Sequence, residues 1–251
     1  MLSLDPVQVA VVMAAMFFAA TVFSTLGFGT GLVALPFLLL ALDAQSSVMV
    51  ITTASLPMVA LILLRNWEHL DFRAMLPVAL GALGGALTGA YILANANQTV
   101  LHVGILSLII LLTLITAFNI RIRIPTPRVS GPVIGYIVAV MTASVGIGTP
   151  LILLFFLSLE WPRHKIRVSM AMFYIVMVLA ANVGYIGSGL YTLDRGALVL
   201  IAAVPVIIGA FLGNRLAYSM NDRVFRIAVI VIIMSTSTIA LAREVVTLTA
   251  A

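Results

Sequence analysis

Cysteine is absent from all 251 residues, which rules out a disulfide framework and any thiolate-bound metal. Charge is scarce too, with 8% of residues Asp, Glu, Lys or Arg against about 25% in a soluble domain. The three histidines, His69, His102 and His164, lie far apart in the sequence, so no metal site or cofactor is expected from them. No acidic residue falls mid-way along an apolar run, which argues against a proton-relay carboxylate or a cation site. Asp5 stands where a secretory signal would be basic, and no small-residue cleavage site closes the first apolar run. That run is expected to be retained. The short segments of alternating polarity that build a transmembrane barrel are missing as well.

What is present is hydrophobic: 63% of the chain, in runs long enough for the roughly 20 residues that one helical crossing needs. A water-soluble fold of this size could not hide that much apolar surface. The runs fall at 7–25, 30–42, 47–64, 72–94, 100–119, 131–145, 149–159, 168–190, 196–218 and 224–242. The expected fold is an all-α, multi-pass integral membrane protein with the lipid bilayer as a partner. The net charge of +5 does not point to nucleic acid, because the basic residues sit in short loops between the runs.

Two of the junctions are unusual. Gly27, Phe28, Gly29, Thr30 and Gly31 interrupt the first stretch, and Gly146, Ile147, Gly148, Thr149 and Pro150 interrupt the sixth and seventh runs. Glycine and proline break a helix there. The segments that follow, ending near Leu42 and Leu159, hold about a dozen residues, or about 18 Å of helix, too short for a 30 Å hydrocarbon core. They read as half-helices or re-entrant arms.

The junctions also repeat. Gly27, Gly29 and Thr30 match Gly146, Gly148 and Thr149 at an offset of 119, with Thr25 opposite Ser144. Pro77, Val78, Gly81, Ala82 and Gly85 return as Pro205, Val206, Gly209, Ala210 and Gly213 at an offset of 128. The chain therefore divides into a first repeat, 1–120, and a second, 121–251, within one transmembrane domain, 1–251. Eleven of the 13 basic residues fall in four loops, around Arg65, Arg121, Arg163 and Arg223. If all four are cytoplasmic, each broken pair leaves and returns on one side, and the halves are inverted copies, each a glycine-broken hairpin followed by three crossings. If each broken pair were one crossing, eight spans and parallel repeats would result.

A helix begun inside a membrane leaves its first N–H groups without partners, and hydrocarbon supplies no water for them. Something polar must meet them. The helix starts near Thr30 and Thr149 would each present about half a positive charge, suited to an anion. The candidate substrate-binding residues are Thr25, Gly27, Gly29, Thr30, Gly31, Ser144, Gly146, Gly148, Thr149 and Asn182. The competing reading gives the glycines only tight turns and close packing. Asn182, mid-way along the eighth run, is either an interhelical hydrogen-bonder or a substrate contact. Gly81, Gly85 and Gly89, like Gly209, Gly213 and Ala217, share one helix face and suit close helix contact. Pro77 and Pro205 can kink their helices. Trp67 and Trp161 beside basic loops suit interfacial anchoring.

The break and its proline-bearing continuation, Gly27 to Pro36, with its second copy at Gly146 to Pro150, resembles the TauE/SafE sulfite-exporter family over nearly the whole chain. The resemblance implies a transporter of a small anion such as sulfite or an organosulfonate, rather than an enzyme, located in the inner membrane. No cofactor is expected, and self-association into a homo-oligomer is left open. Thr149 is followed by Pro150 but Thr30 by Gly31, so the half-sites cannot be chemically identical. Two readings from other classes stand beside this one. Ser188 between Gly187 and Gly189 could serve a membrane-embedded enzyme, though a short turn explains it, and a non-transporting membrane subunit is the other.

Overall fold

The computed structural model describes residues 5–26, 29–117, 127–216 and 231; Gly27 and, apart from Val231, the run at 224–242 lie outside them. All regular structure among the described residues is helical. The helices are α1 (Pro6–Leu26), α2 (Thr30–Leu38), α3 (Ala44–Ala54), α4 (Leu56–Asn66), α5 (Phe72–Asn95), α6 (Gln98–Ala117), α7 (Pro127–Val145), α8 (Thr149–Ser158), α9 (Arg163–Gly187) and α10 (Leu193–Leu216). Five stretches are long and apolar enough to cross a bilayer: Pro6–Thr25, Ala44–His69, Phe72–Asn95, His164–Gly187 and Leu193–Arg215.

One expected helix is divided. The run at 47–64 forms α3 and α4, hinged at Ser55. Pro57 has no N–H, and its ring crowds the Thr53 carbonyl one turn back, which breaks the ladder. The Ser55 hydroxyl donates to the Ile51 carbonyl at 2.6 Å across the hinge. Together the two pieces still make one crossing, finished by a 3-10 turn at Trp67–His69.

Which side chains face inward follows lipid logic. On α5 the buried face holds Val78, Ala82, Gly85, Ala86 and Gly89, whereas Leu76, Leu80, Leu83 and Leu87 are exposed. Large apolar residues gain nothing by leaving lipid, so small ones take the helix contacts. The backbones then come very close. A Cβ on Gly81, Gly85 or Gly89 would lie 2.0, 2.2 or 2.6 Å from the carbonyl oxygens of Pro132, Tyr136 and Val140 on α7. Gly209 and Gly213 of α10 meet Phe17 and Thr21 of α1 in the same way, at 2.4 and 2.2 Å. The packing role expected of these glycines is what they perform.

The two seams do not follow the sequence match residue for residue. In the spacing that pairs Gly27 with Gly146, Phe17 and Thr21 answer to Tyr136 and Val140. Gly209 therefore takes the place of Gly85, not of Gly81, a slip of one helical turn.

Chain direction follows from the contacts. Lys165 at the start of α9 donates to Asp71, just before α5, at 2.9 Å, and Gly184 near the end of α9 lies against Ala90 and Leu87 late in α5. Helices α5 and α9 run parallel. The glycine seam makes α7 parallel to α5 as well. Since α7 and α9 share a direction, α8 between them must run back, and Phe156 late in α8 stacks on Trp161, just before α9, at 5.8 Å. The first broken pair also folds back: the Gln8 amide at the start of α1 donates to the Ala41 carbonyl beyond α2 at 3.1 Å. That end of the bundle, which also holds Arg195 and Asp43, is opposite the end holding Lys165 and Asp71.

Candidate functional site

The tips of the two hairpins meet inside the bundle. Helix α2 starts at Thr30 and α8 at Thr149, 8% and 3% exposed. A Cβ on Gly31 would fall 2.1 Å from the Gly146 carbonyl oxygen and 3.4 Å from the Ile147 side chain. Backbone touches backbone, and no other residue fits.

The glycines have separate reasons to be there. Gly29 at φ 103° and Gly146 at φ 73° occupy the left-handed region that glycine enters at no steric cost. Gly148 has extended backbone, and space is its constraint: a Cβ would lie 2.0 Å from the Thr142 hydroxyl. Pro150 needs no N–H in the first turn of α8, where none would be paired. The first intrahelical donors are Val33 N–H to Gly29 in α2 and Leu151 N–H to Gly148 in α8. Ahead of them stand the N–H groups of Thr30, Gly31 and Leu32 in α2 and of Thr149 alone in α8, without backbone partners among the described residues and at the positive ends of both helices.

The hydroxyls divide into two groups. Thr149 pairs with the Tyr174 hydroxyl of α9, and Tyr174 packs edge-on against Phe23 of α1 at 6.3 Å between centroids. Thr30 is at the tip with no side-chain hydrogen bond among the described residues. Thr25 and Ser144 are spent on helix carbonyls. Thr25 Oγ1 donates to Thr21 at 2.8 Å and lies 3.0 Å from the Gly213 carbonyl, and Ser144 Oγ donates to Val140 at 2.6 Å.

Asn182 belongs to a different cluster. Its Oδ1 accepts from Thr53 at 3.0 Å and from the Tyr191 hydroxyl, and its Nδ2 donates to the Val178 carbonyl at 2.8 Å. The interhelical reading of Asn182 describes this geometry. The structure thus gathers Gly29, Thr30, Gly31, Gly146, Gly148 and Thr149 at the tips, with Thr25 and Ser144 hydrogen-bonded to helix carbonyls and Asn182 in a separate cluster.

Three tip residues were not anticipated. Thr142 lies under Gly148, Tyr174 holds Thr149, and the buried Tyr185 hydroxyl donates to the Ala143 carbonyl at 2.7 Å. Tyr174 and Tyr185 are three turns apart on α9, so one face presents both to the second hairpin. A pair of tyrosines at that spacing inside an apolar run was the available signal. His69 and His164 are also brought together, with ring centroids 4.4 Å apart, while His102 stands at the opposite end beside Leu39. No group of three metal-ligating side chains forms among the described residues. Ser188 caps α9 in an exposed turn that Gly189 closes at φ 68°.

A family model described as sulfite exporter TauE/SafE matches residues 12–239. The chain belongs to the TauE/SafE family. The match takes in both hairpins, both glycine seams and the Asn182 cluster. TauE/SafE is a family of membrane transporters of sulfite and organosulfur anions, and the five membrane-length helices among the described residues make this member a multi-pass membrane protein. No match was found among curated proteins or solved structures.

Proposed function

We propose that this TauE/SafE protein carries sulfite or a small organosulfonate across the inner membrane, binding it between the tips of two inverted hairpins. The observation that carries the reading is the contact of Gly31 with Gly146, which sets two helix N-termini side by side in the bundle interior. In an apolar core those N–H groups call for a polar partner, and a small oxyanion accepts several at once. Gly31, Gly146 and Gly148 let the two tips pack backbone against backbone, Gly29 leaves its own backbone uncrowded, and Thr30 and Thr149 add hydroxyls. Gly27 belongs to the same break in the sequence.

Support for inverted halves comes from the parallel pairs α5 with α7 and α1 with α10, and from hairpins entering at opposite ends. Broken helices from two such halves meeting near the midplane suit alternating access. The described spans hold no carboxylate beside the tips, so binding rests on dipoles, and weak binding of that kind allows release on the far side.

The test is uptake into proteoliposomes of radiolabelled sulfite, organosulfonates, carboxylates, amines and metal cations, with and without an imposed pH gradient. Flux of a sulfur oxyanion but not of cations is expected. Selective cation flux, with no sulfur oxyanion or carboxylate moving, would overturn the reading.

A further inference from the structure

A cavity of about 200 Å³ opens among α1, α4, α9 and α10, at the end of the bundle that holds Lys165 and Asp71. Its rim carries Arg65 and Arg167 and its floor Ser24 and Met58, whose side chains touch at 3.8 Å. From Arg65 to Met58 is two turns of α4, about 10 Å along the axis. Ser24 lies one turn short of the first broken junction, so the cavity points from the basic end toward the hairpin tips.

Helix α10 sets both guanidiniums. Arg65 lies over the Phe211 ring at 5.4 Å, and Arg167 Nη2 donates to Asn214 Oδ1 at 3.3 Å. Phe211 and Asn214 are three residues apart on one helix face, so the arginines converge from α4 and α9 onto adjacent turns. No carboxylate pairs with either among the described residues, whereas Lys165 and Arg195 each hold an aspartate. Topology alone would be served by basic residues spread in solvent. Two arginines lining one recess with no carboxylate beside them make it electropositive. Each keeps free N–H donors in the planar fork that fits an oxyanion bidentately.

We infer that this cavity is an anion-capture subsite, in which Arg65 and Arg167 hold a small oxyanion before it reaches the hairpin tips. The inference rests on the anion reading of the tips and adds a second site to it. The chemistry recognised is an oxyanion, which a free sulfur anion or a phospholipid headgroup could supply; the depth of the recess favours the free anion.

The test measures modification of the two arginines by phenylglyoxal, read by peptide mass spectrometry, on the full chain in neutral detergent with methanesulfonate, phosphatidylglycerol or tetraethylammonium added, the sulfonate standing in for sulfite because sulfite itself would consume the aldehyde reagent. Methanesulfonate is expected to slow modification of Arg167 at least fivefold and tetraethylammonium not at all. Arg65→Gln should abolish that protection, and Arg65→Lys should keep part of it. In proteoliposomes Arg65→Gln should raise KM for sulfite at least tenfold with less than a twofold change in maximal rate. Sulfite flux with no protection and an unchanged KM would overturn the subsite and leave the transport reading standing. Protection without flux of any anion would leave the subsite and sink the transport reading. Protection by phosphatidylglycerol alone would make the occupant a headgroup and overturn the inference.

Discussion

Gly31 and Gly146 stand so close that a single methyl group on the first would collide with the carbonyl oxygen of the second. We therefore expect Gly31→Ala to destabilise the protein by about 1–3 kcal/mol, the usual cost of overpacking a filled site, and to abolish anion flux. Gly104→Ala is the control, because its Cβ would meet nothing within 4 Å and alanine is the better helix former. Thermal unfolding of the two variants in detergent separates them. Equal melting temperatures would remove the steric argument.

The Asn182 cluster gives a second expectation. Removing its side chain leaves the Thr53 and Tyr191 hydroxyls without their shared acceptor. Hydrogen bonds between membrane helices contribute about 0.6–2 kcal/mol. Asn182→Ala should therefore lower the melting temperature while leaving KM for sulfite within twofold. A large rise in KM at unchanged stability would restore a direct substrate contact.

Asp71 ties stability to pH. Lys165 bonds its carboxylate, and with the Ala74 N–H holds its pKa below the ordinary 3.8. A carboxyl lowered on folding contributes stability that is present above the unfolded value and lost as pH falls through the folded one. The pair is partly exposed to solvent, so its contribution is at most about 1 kcal/mol. Asp71→Asn keeps the cap on α5, since Asn caps as well as Asp, and removes the charge. Its melting temperature should lie below that of the wild type at neutral pH and converge with it below pH 4. A constant gap across that range would assign the effect to capping.

Topology can be read directly, because the chain has no cysteine to interfere. Single cysteines at Glu68 and Asn97, at opposite ends of α5, should react with membrane-impermeant reagents from opposite sides, Glu68 from the cytoplasm. Reaction of both from one side would refute the assignment of the basic loops.

The broken hairpins, the glycine faces and the family were legible in the sequence because each follows from a backbone constraint: glycine where φ is positive at Gly29 and Gly146, or where a carbonyl lies against the helix at Gly85 and Gly213. Side-chain pairing was not legible in that way. The pairing of Tyr174 with Thr149, or of Arg167 with Asn214, depends on rotation and depth between helices distant in sequence. The division at Ser55 was missed although Pro57 announces it, because the apolar run continues on either side. The one-turn slip between the two seams was invisible too, since Gly81, Gly85 and Gly89 repeat every turn and offer several equally good registers.

The glycine seams cut across the sequence halves. Helix α7 of the second half is fastened to α5 of the first, and α1 of the first to α10 of the second, each through backbone contacts with no side chain between. Prising either pair apart would open a slot that lipid would have to fill, whereas sliding along it leaves the surfaces in contact. Under the proposed alternating access each moving body would comprise one hairpin and the long helix fastened to it from the other half, so a cross-link between α5 and α7 should be tolerated where one between the two hairpin tips is not.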